Sequence, residues 1–183
     1  MSQNKINKLE LTWIGKEEEP AALEPRLLID TPKYSFGEVE TGTLPNGKPW
    51  PGNMLIHGDN LLALRALEQD FVGQVKCIFI DPPFNTGSAF EHYDDGVEHS
   101  IWLNLMYNRF QILYTLLRDD GVLFVHLDDS ELAYCKVILD EIFGRSNYLN
   151  TITMTTNEPS GFKATGSIIF STANYVLCYE KSF

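Results

Sequence analysis

The segment VKCIFIDPPFNTG (residues 75–87) is the most informative stretch of this sequence. Its apolar first half predicts a buried β-strand. Proline has no N–H and a fixed φ, so Pro82 and Pro83 are expected to end the strand and stiffen the turn that follows. An acid and an aromatic residue, Asp81 and Phe84, flank the prolines. Folding alone requires neither of them there, which makes this turn a candidate functional site.

Strand-like and helix-like segments alternate on both sides of this stretch. Between residues 98 and 118 apolar residues recur every three or four positions, which predicts one face of a long helix, and Gly121 is suited to a left-handed cap after it. Ser130 is expected to cap a further helix over residues 130–144. The alternation implies crossover connections, and we predict an α/β fold, Rossmann-like in part, with flanking helices on a mostly parallel sheet. The strand-like segments are MLIHGD (54–59), VKCIFID (75–81), VLFVHLD (122–128), YLNTITMTT (148–156) and ANYVLCYEK (173–181), and a first helix is predicted at NLLALRALEQ (60–69).

Residues 1–50 differ in amino-acid composition from the remainder of the chain. They contain the acidic run KEEEP and the turn-rich run LPNGKPWPG, which is typical of an extended N-terminal arm with little regular structure. We therefore divide the chain into an arm over residues 1–50 and a folded part over residues 51–183. The prolines of the arm are Pro20, Pro25, Pro32, Pro45 and Pro49.

Composition narrows the class of protein. The chain has 183 residues, of which 44% are hydrophobic, as in globular proteins and unlike disordered ones. No apolar run approaches the roughly 20 residues of a membrane span and no signal peptide opens the chain, so we expect a cytoplasmic protein. The three cysteines lie far apart without metal-site or disulfide spacing. The net charge of −11 argues against a large nucleic-acid surface on this chain.

Two polar segments follow predicted strands, where ligands bind in α/β sheets: HGD (57–59) and the turn after Ile80. Asp81 offers a carboxylate acceptor, the prolyl pair offers a carbonyl outside the sheet, and Phe84 offers a ring face. Such a set suits a planar group that bears an NH₂, as a nucleobase does. The alternative is an ordinary strand-ending turn with a solvated Asp81.

Three segments in this order resemble the motifs of amino-methyltransferases that act on exocyclic amines of DNA bases: HGDNLLAL (57–64), IFIDPPFNTG (78–87) and DDGVLFVHLDD (119–129). The likeness runs from about Asn53 to Ser182. It is closest to adenine-specific enzymes of the permuted (beta) class, such as the modification subunits of type III restriction systems. The resemblance implies S-adenosylmethionine as cofactor and double-stranded DNA as partner. Asp in the first motif position implies N6 of adenine, whereas Ser would suggest N4 of cytosine.

The resemblance also implies roles for single residues. Asp81 and the carbonyl region of Pro82 would accept the two amino hydrogens of a flipped-out base, and Phe84, where the family more often has Tyr, would replace part of the lost stacking. Asp59 matches an acidic position near the cofactor's adenine, although Gly-Asp after a strand is also a common entry to a helix. The predicted residues are Asp81, Pro82, Pro83 and Phe84 for catalysis, Asp59, Asn60 and Asp81 for the cofactor, and Phe84, Asn85 and Thr86 for the substrate.

The glycine-rich FxGxG motif and the basic recognition domain of this family do not occur in the sequence, and in the permuted order both would follow Phe183. We therefore expect residues 51–183 to form the catalytic-pocket part of an incomplete methyltransferase domain that is inactive on its own. Its expected partners are a C-terminal methyltransferase half or a restriction subunit. The alternatives are a noncatalytic remnant or interaction module, and methyl transfer to N4 of cytosine or to another amine. The run EHYDDGVEHS (91–100) fits no metal site and predicts a solvated loop, and His126 is expected to be structural.

Overall fold

The structure is a computed structural model that describes residues 10–17, 26–37, 42–44, 46–50, 52–85, 95–156 and 172–182. Its helices are α1 (Asn60–Phe71), α2 (Asp95–Leu116) and α3 (Leu132–Leu139), and α3 continues into a π-helical turn (Asp140–Gly144) and a 3-10 turn (Arg145–Asn147). Its strands are β1 (Val75–Ile80), β2 (Leu117–Leu127), β3 (Tyr148–Thr155) and β4 (Ala173–Glu180). None of the helices in these described ranges is long and apolar enough to cross a membrane.

The four strands form one sheet in the order β1-β2-β4-β3. β1 pairs with β2 in parallel, whereas β4 pairs antiparallel with both β2 and β3. Thus β1, β2 and β3 run in one direction and β4 alone is reversed. The α/β class with flanking helices is confirmed, but the sheet is mixed rather than mostly parallel. The alternation of side chains along a strand is the same in either direction, so the sequence of β4 carried no sign of its reversal.

The hydrophobic core lies where α2 and α3 pack on the sheet. The predicted apolar face of α2 is confirmed, because its three-and-four spacing places the large side chains against the sheet. Burying a large apolar side chain of this kind contributes about 2 kcal/mol of stability. Core residues with 5% or less of their surface exposed include Trp102, Leu103, Met106, Phe110, Leu113, Leu117, Leu123, Cys135 and Leu139.

The strand at 75–80 was predicted to be buried, but β1 lies at the edge of the described sheet, none of its residues is buried and Phe79 is 63% exposed.

Three other local predictions were wrong. The run 54–59 forms no strand, and Leu55 is 99% exposed, because a strand needs a pairing partner and the described residues supply none. Gly121 lies inside β2 rather than at a helix cap, and an added Cβ there would lie 2.8 Å from the carbonyl oxygen of Arg118. Ser130 does not cap α3, since its hydroxyl donates to Asp128 instead, at 3.2 Å.

Part of the N-terminal arm contacts the folded part. The indole N–H of Trp13 donates to Oδ1 of Asn104 on α2 at 2.7 Å. Lys16, whose side chain is 5% exposed, donates to Oε2 of Glu141 at 2.9 Å. Within the described arm residues, regular structure comprises a 3-10 turn at Pro32–Tyr34 and an isolated bridge. The division of the chain at residue 50 remains a prediction.

Candidate active site

The acid-Pro-Pro-aromatic turn, residues 81–85, leaves the carboxyl end of β1, as the sequence predicted. Pro82 is buried, whereas Pro83 and Asp81 are exposed. Phe84 is partly buried and packs against the hydrophobic core. The turn therefore anchors one proline and one ring in the protein and leaves the carboxylate open to solvent.

The carboxylate of Asp81 is 64% exposed and is held by a histidine. Nδ1 of His126, near the end of β2, lies 2.9 Å from Oδ1 of Asp81. The other ring nitrogen, Nε2, lies 3.0 Å from the amide nitrogen of Asn174 on β4. With the Asn174 amide in this orientation, Nε2 accepts from the amide and Nδ1–H donates to Asp81, so His126 holds the carboxylate in one orientation.

The ring of Phe84 is oriented by the same histidine. The two ring centroids are 5.2 Å apart and the ring planes meet at 82°, an edge-to-face contact. His126 thus touches both chemically distinctive side chains of the turn, one by a hydrogen bond and the other by packing.

One of the two prolyl carbonyls is already engaged. The indole N–H of Trp102, a residue of α2 with 1% of its surface exposed, donates to the carbonyl oxygen of Pro83 at 2.6 Å. No residue in the described part of the chain donates to the carbonyl oxygen of Pro82. Of the pair, the Pro83 carbonyl is therefore engaged within the protein.

The turn ends at Asn85, which has a φ of 59°. Its side-chain N–H donates to Oε1 of Glu131 at 2.5 Å, and Nδ1 of His99 on α2 lies 2.7 Å from the same oxygen. Glu131 is fully buried, directly before α3. Burial raises the pKa of Glu131, while the hydrogen bond from Asn85 and the proximity of His99 oppose that rise.

The second predicted segment, Asp59 and Asn60, begins α1. Oδ1 of Asp59 accepts from the backbone N–H groups of Leu61 and Leu62, at 2.9 and 3.1 Å, so Asp59 is a helix cap. Oδ1 of Asn60 accepts from Arg109 on α2 at 2.7 Å. The helix-entry interpretation of Gly-Asp is therefore correct for the fold, and the cofactor-binding role of both residues remains a prediction.

Both predicted segments are attached to α2, Asn60 through Arg109 and Pro83 through Trp102. These two attachment points are about 10 Å apart along the helix axis.

Thr86, which was predicted to contact the substrate, lies outside the described residues, so that contact remains a prediction. The run 91–100 is not simply a solvated loop, because α2 already begins at Asp95. His99 belongs to that helix and pairs with Glu131. Among the described residues, no group of three or more His, Cys, Asp or Glu side chains is placed to hold a metal ion.

Sequence reasoning missed Glu131, Asn174 and the role of His126. The signal for Glu131 was present: with Cys135 and Leu139 it falls at a spacing of four on the buried face of α3, where a charged residue is unusual. Asn174 carried no such signal. It reaches His126 only because β4 pairs beside β2.

A cavity of about 350 Å³ lies away from the turn. It lies between the N-terminal arm and α1, and none of its lining residues is a predicted site residue. It is lined by Leu28, Leu44, Lys48, Pro49, Met54, Ala66, Leu67, Asp70 and Phe71.

Comparison with known proteins places this chain in a family. A family model described as DNA methylase, of the N6_N4_Mtase type, matches residues 75–182, from the start of β1 to beyond the end of β4. A probable type III restriction-modification enzyme HindVI Mod subunit of Haemophilus influenzae is 48% identical over 124 residues, which is 68% of this chain and 16% of that protein. The EcoP15I Mod subunit of Escherichia coli is 30% identical over 94% of this chain and 30% of its own length.

A solved structure supports the fold. The PvuII DNA methyltransferase, described as cytosine-N4-specific, superposes with a TM-score of 0.50 at 14% identity, covering 69% of this chain and 48% of that one. The chain spans less than a third of the length of the two Mod subunits that it matches. Since the family model covers more than half of the 183 residues, the chain belongs to the DNA methylase family.

Proposed function

We propose that this chain forms the target-base pocket of a DNA methyltransferase that methylates N6 of adenine. The observation that carries the proposal is the exposed carboxylate of Asp81 beside the ring of Phe84, both fixed by His126 at the carboxyl end of β1. The names of the relatives support it, because two Mod subunits of type III restriction-modification enzymes are among them.

The residues of the turn divide the work of holding an adenine. Asp81 accepts one hydrogen of the exocyclic amine and the Pro82 carbonyl accepts the other, which aims the nitrogen lone pair away from the protein acceptors. Phe84 provides a face for the base. An exocyclic amine inside a duplex is unreachable, so the base must leave the stack, and a ring partner offsets part of that cost. The chain then acts by positioning and by excluding water.

The residues present fit the cofactor that the family implies. S-adenosylmethionine supplies, when bound, a methyl group on a positively charged sulfur. The ligand also carries hydroxyl and ammonium donors, for which exposed carboxylates are suitable acceptors. Asp59 and Asp81 are both exposed. We assign Asp59, Asn60 and Asp81 to its binding.

The partners, the location and the choice of base are finer parts of the same proposal. The partners would be double-stranded DNA and, by analogy with the type III relatives, a restriction subunit. The protein would act in the cytoplasm. Adenine rather than cytosine is favoured by Asp81 as the first residue of the motif. A noncatalytic role is the competing proposal.

Nucleoside analysis distinguishes adenine, cytosine and a noncatalytic role. Unmethylated genomic DNA is incubated with the complete gene product and tritiated S-adenosylmethionine, digested to nucleosides and separated by chromatography. We expect label in N6-methyl-2′-deoxyadenosine. Label in N4-methyl-2′-deoxycytidine would replace adenine by cytosine as the target, and label in neither would favour a noncatalytic role.

A further inference from the structure

Glu131 is a buried acid that the proposed chemistry does not use. It has no exposed surface and lies on the buried face at the start of α3. Burying a carboxylate is unfavourable, and an apolar residue would serve the packing of a core better. Because burial of this carboxylate is unfavourable, we infer that the Glu131 side chain has a role other than stabilising the core.

The contacts of Glu131 join three parts of the molecule. Its Oε1 accepts from Asn85 in the turn at 2.5 Å and lies 2.7 Å from Nδ1 of His99 on α2. Its Oε2 has no hydrogen-bond partner among the described residues. The backbone carbonyl of Glu131 accepts from Cys135 at 2.8 Å, which ties it to the first turn of α3.

Asn85 is where this contact affects the turn. Its φ of 59° lies in the left-handed region, and it is the one non-glycine residue with positive φ in the described ranges. Left-handed backbone is unfavourable for most residues with a Cβ, and Asn adopts it more often than others because its short polar side chain can form a hydrogen bond locally. The carboxylate of Glu131 supports this conformation through the Asn85 side chain.

We propose that Glu131 is a positioning residue of the acid-Pro-Pro-aromatic turn. Its buried carboxylate holds Asn85 in the left-handed conformation and so sets the directions of Phe84 and of the Pro83 carbonyl. Nδ1 of His99 lies 2.7 Å from the same carboxylate oxygen. Burial raises the pKa of Glu131, in keeping with its removal from water, and Asp128 nearby adds to the rise. The effect on catalysis rests on the proposed function, whereas the effect on the turn does not.

The test uses a glycine at position 85, which adopts the left-handed conformation without a hydrogen bond to Glu131. In the complete protein we compare Glu131→Met, Asn85→Ala, Asn85→Gly and the double variants. Glu131→Met keeps the length of the side chain but removes both acceptor oxygens, and Glu131→Gln, whose amide oxygen can still accept from Asn85, is the matched control. Glycine adopts positive φ without a side-chain partner, so Asn85→Gly should make the turn independent of residue 131. Asn85→Ala removes the side chain but keeps the Cβ, so it should disturb the turn. If Glu131→Met did not fold, comparing Asn85→Ala with Asn85→Gly would still test whether the Asn85 side chain holds the turn.

The first readout is structural. The indole N–H of Trp102 donates to the Pro83 carbonyl, so its ¹H–¹⁵N resonance reports the turn directly. The chain has three tryptophans, and Trp102→Phe assigns the signal. We expect Glu131→Met and Asn85→Ala to shift this resonance and Asn85→Gly to leave it near the parent position in both backgrounds. An unshifted resonance in Glu131→Met, or a shift that Asn85→Gly does not reverse, would overturn the proposal.

The second readout is methyl transfer. Losing support for a left-handed residue should lower kcat about tenfold in Glu131→Met and leave KM for the cofactor nearly unchanged, and Glu131→Met should cause no further loss when it is added to Asn85→Gly. An equal loss from Glu131→Met in the parent and in Asn85→Gly would mean that Glu131 only stabilises the fold. If Asp81→Ala retained methylation while the Trp102 resonance behaved as expected, the proposed function would fail and this inference would stand.

Discussion

His126 donates through Nδ1 to Oδ1 of Asp81 at 2.9 Å, and the amide of Asn174 lies 3.0 Å from its other ring nitrogen. Asp81 follows β1, His126 lies in β2 and Asn174 lies in β4, so the three residues come from strands that are consecutive in the sheet. The relay runs across the sheet at the level of the proposed base pocket. It holds an exposed carboxylate in one orientation without neutralising it.

Two substitutions at His126 separate its hydrogen bond from its packing. His126→Asn retains a donor at the Nδ1 position but removes the ring, whereas His126→Phe retains a ring against Phe84 but removes the donor. A hydrogen bond to a charged group contributes about 1.5–3 kcal/mol, so we expect kcat to fall roughly ten- to hundredfold in His126→Phe. His126→Asn should retain more activity. Single-turnover methylation measures both, and the reverse order would show that packing is what matters.

Asp81 itself should be indispensable for methylation and dispensable for folding. Asp81→Ala removes the acceptor, and the isosteric Asp81→Asn presents a donor amide where an acceptor is needed, so both should abolish methyl transfer. Because the side chain is 64% exposed, the free energy of unfolding measured in urea should change by only about 0.5 kcal/mol. Asp129→Asn, at another exposed acid, is the matched control and should stay active. Near-parent activity in Asp81→Ala would remove the basis of the proposed function.

The ring of Phe84 should stack on the target base. Phe84→Tyr keeps the ring and should remain active. Phe84→Ala should lose about 1–3 kcal/mol of stacking, roughly ten- to hundredfold in binding of flipped substrate. A duplex with 2-aminopurine at the target position becomes fluorescent when the base leaves the stack. Equal fluorescence with Phe84→Ala and parent protein would restrict the ring to a packing role.

Glu131 should make stability depend on pH in a defined direction. Burial raises its pKa in the folded protein above the ordinary value of 4.5, so the folded state binds more protons than the unfolded state in that window. Its contribution to the free energy of unfolding therefore falls as pH rises above 4.5 through the folded pKa. Glu131→Gln lacks this loss and should gain stability relative to the parent over the same window. Urea unfolding of both proteins across pH 4–8 measures the difference, and a constant difference would contradict the expectation.

Lys16 should anchor the N-terminal arm to the folded part. Burial lowers its pKa, but hydrogen bonds with Glu141 and Glu10 outweigh that effect and raise it overall, so the ammonium stays charged between two carboxylates. Lys16→Ala leaves Glu141, only 12% exposed, without this partner and should cost about 3 kcal/mol of unfolding free energy. Lys33→Ala, at an exposed lysine of the same arm, should cost far less. Comparable losses in the two variants would exclude an anchoring role for Lys16.

Much of the fold followed from the sequence because it depends on local periodicity. The apolar spacing of α2 and the strand at 75–80 are both found where predicted. The predictions that failed depend on neighbours in space: residues 54–59 lack a pairing strand, and Gly121 is required by a close backbone approach within β2. Of the site, the motif itself placed Asp81 and Phe84 correctly at the end of a strand. Their supports at His126 and Glu131 could not be predicted from it.

The sequence by itself determined the positions of α1, α2 and the four observed strands, the buried face of α2, and the turn whose acid and ring point to a nucleobase. These properties follow from residues that are adjacent or one helical turn apart. Only the tertiary structure decided that β4 is reversed and that three distant side chains hold the turn. Asp81 and His126 are 45 positions apart, Asn85 and Glu131 are 46 apart, and His126 and Asn174 are 48 apart. Such contacts are created by the order of strands in the sheet and the packing of helices on it, which no local pattern of residues specifies.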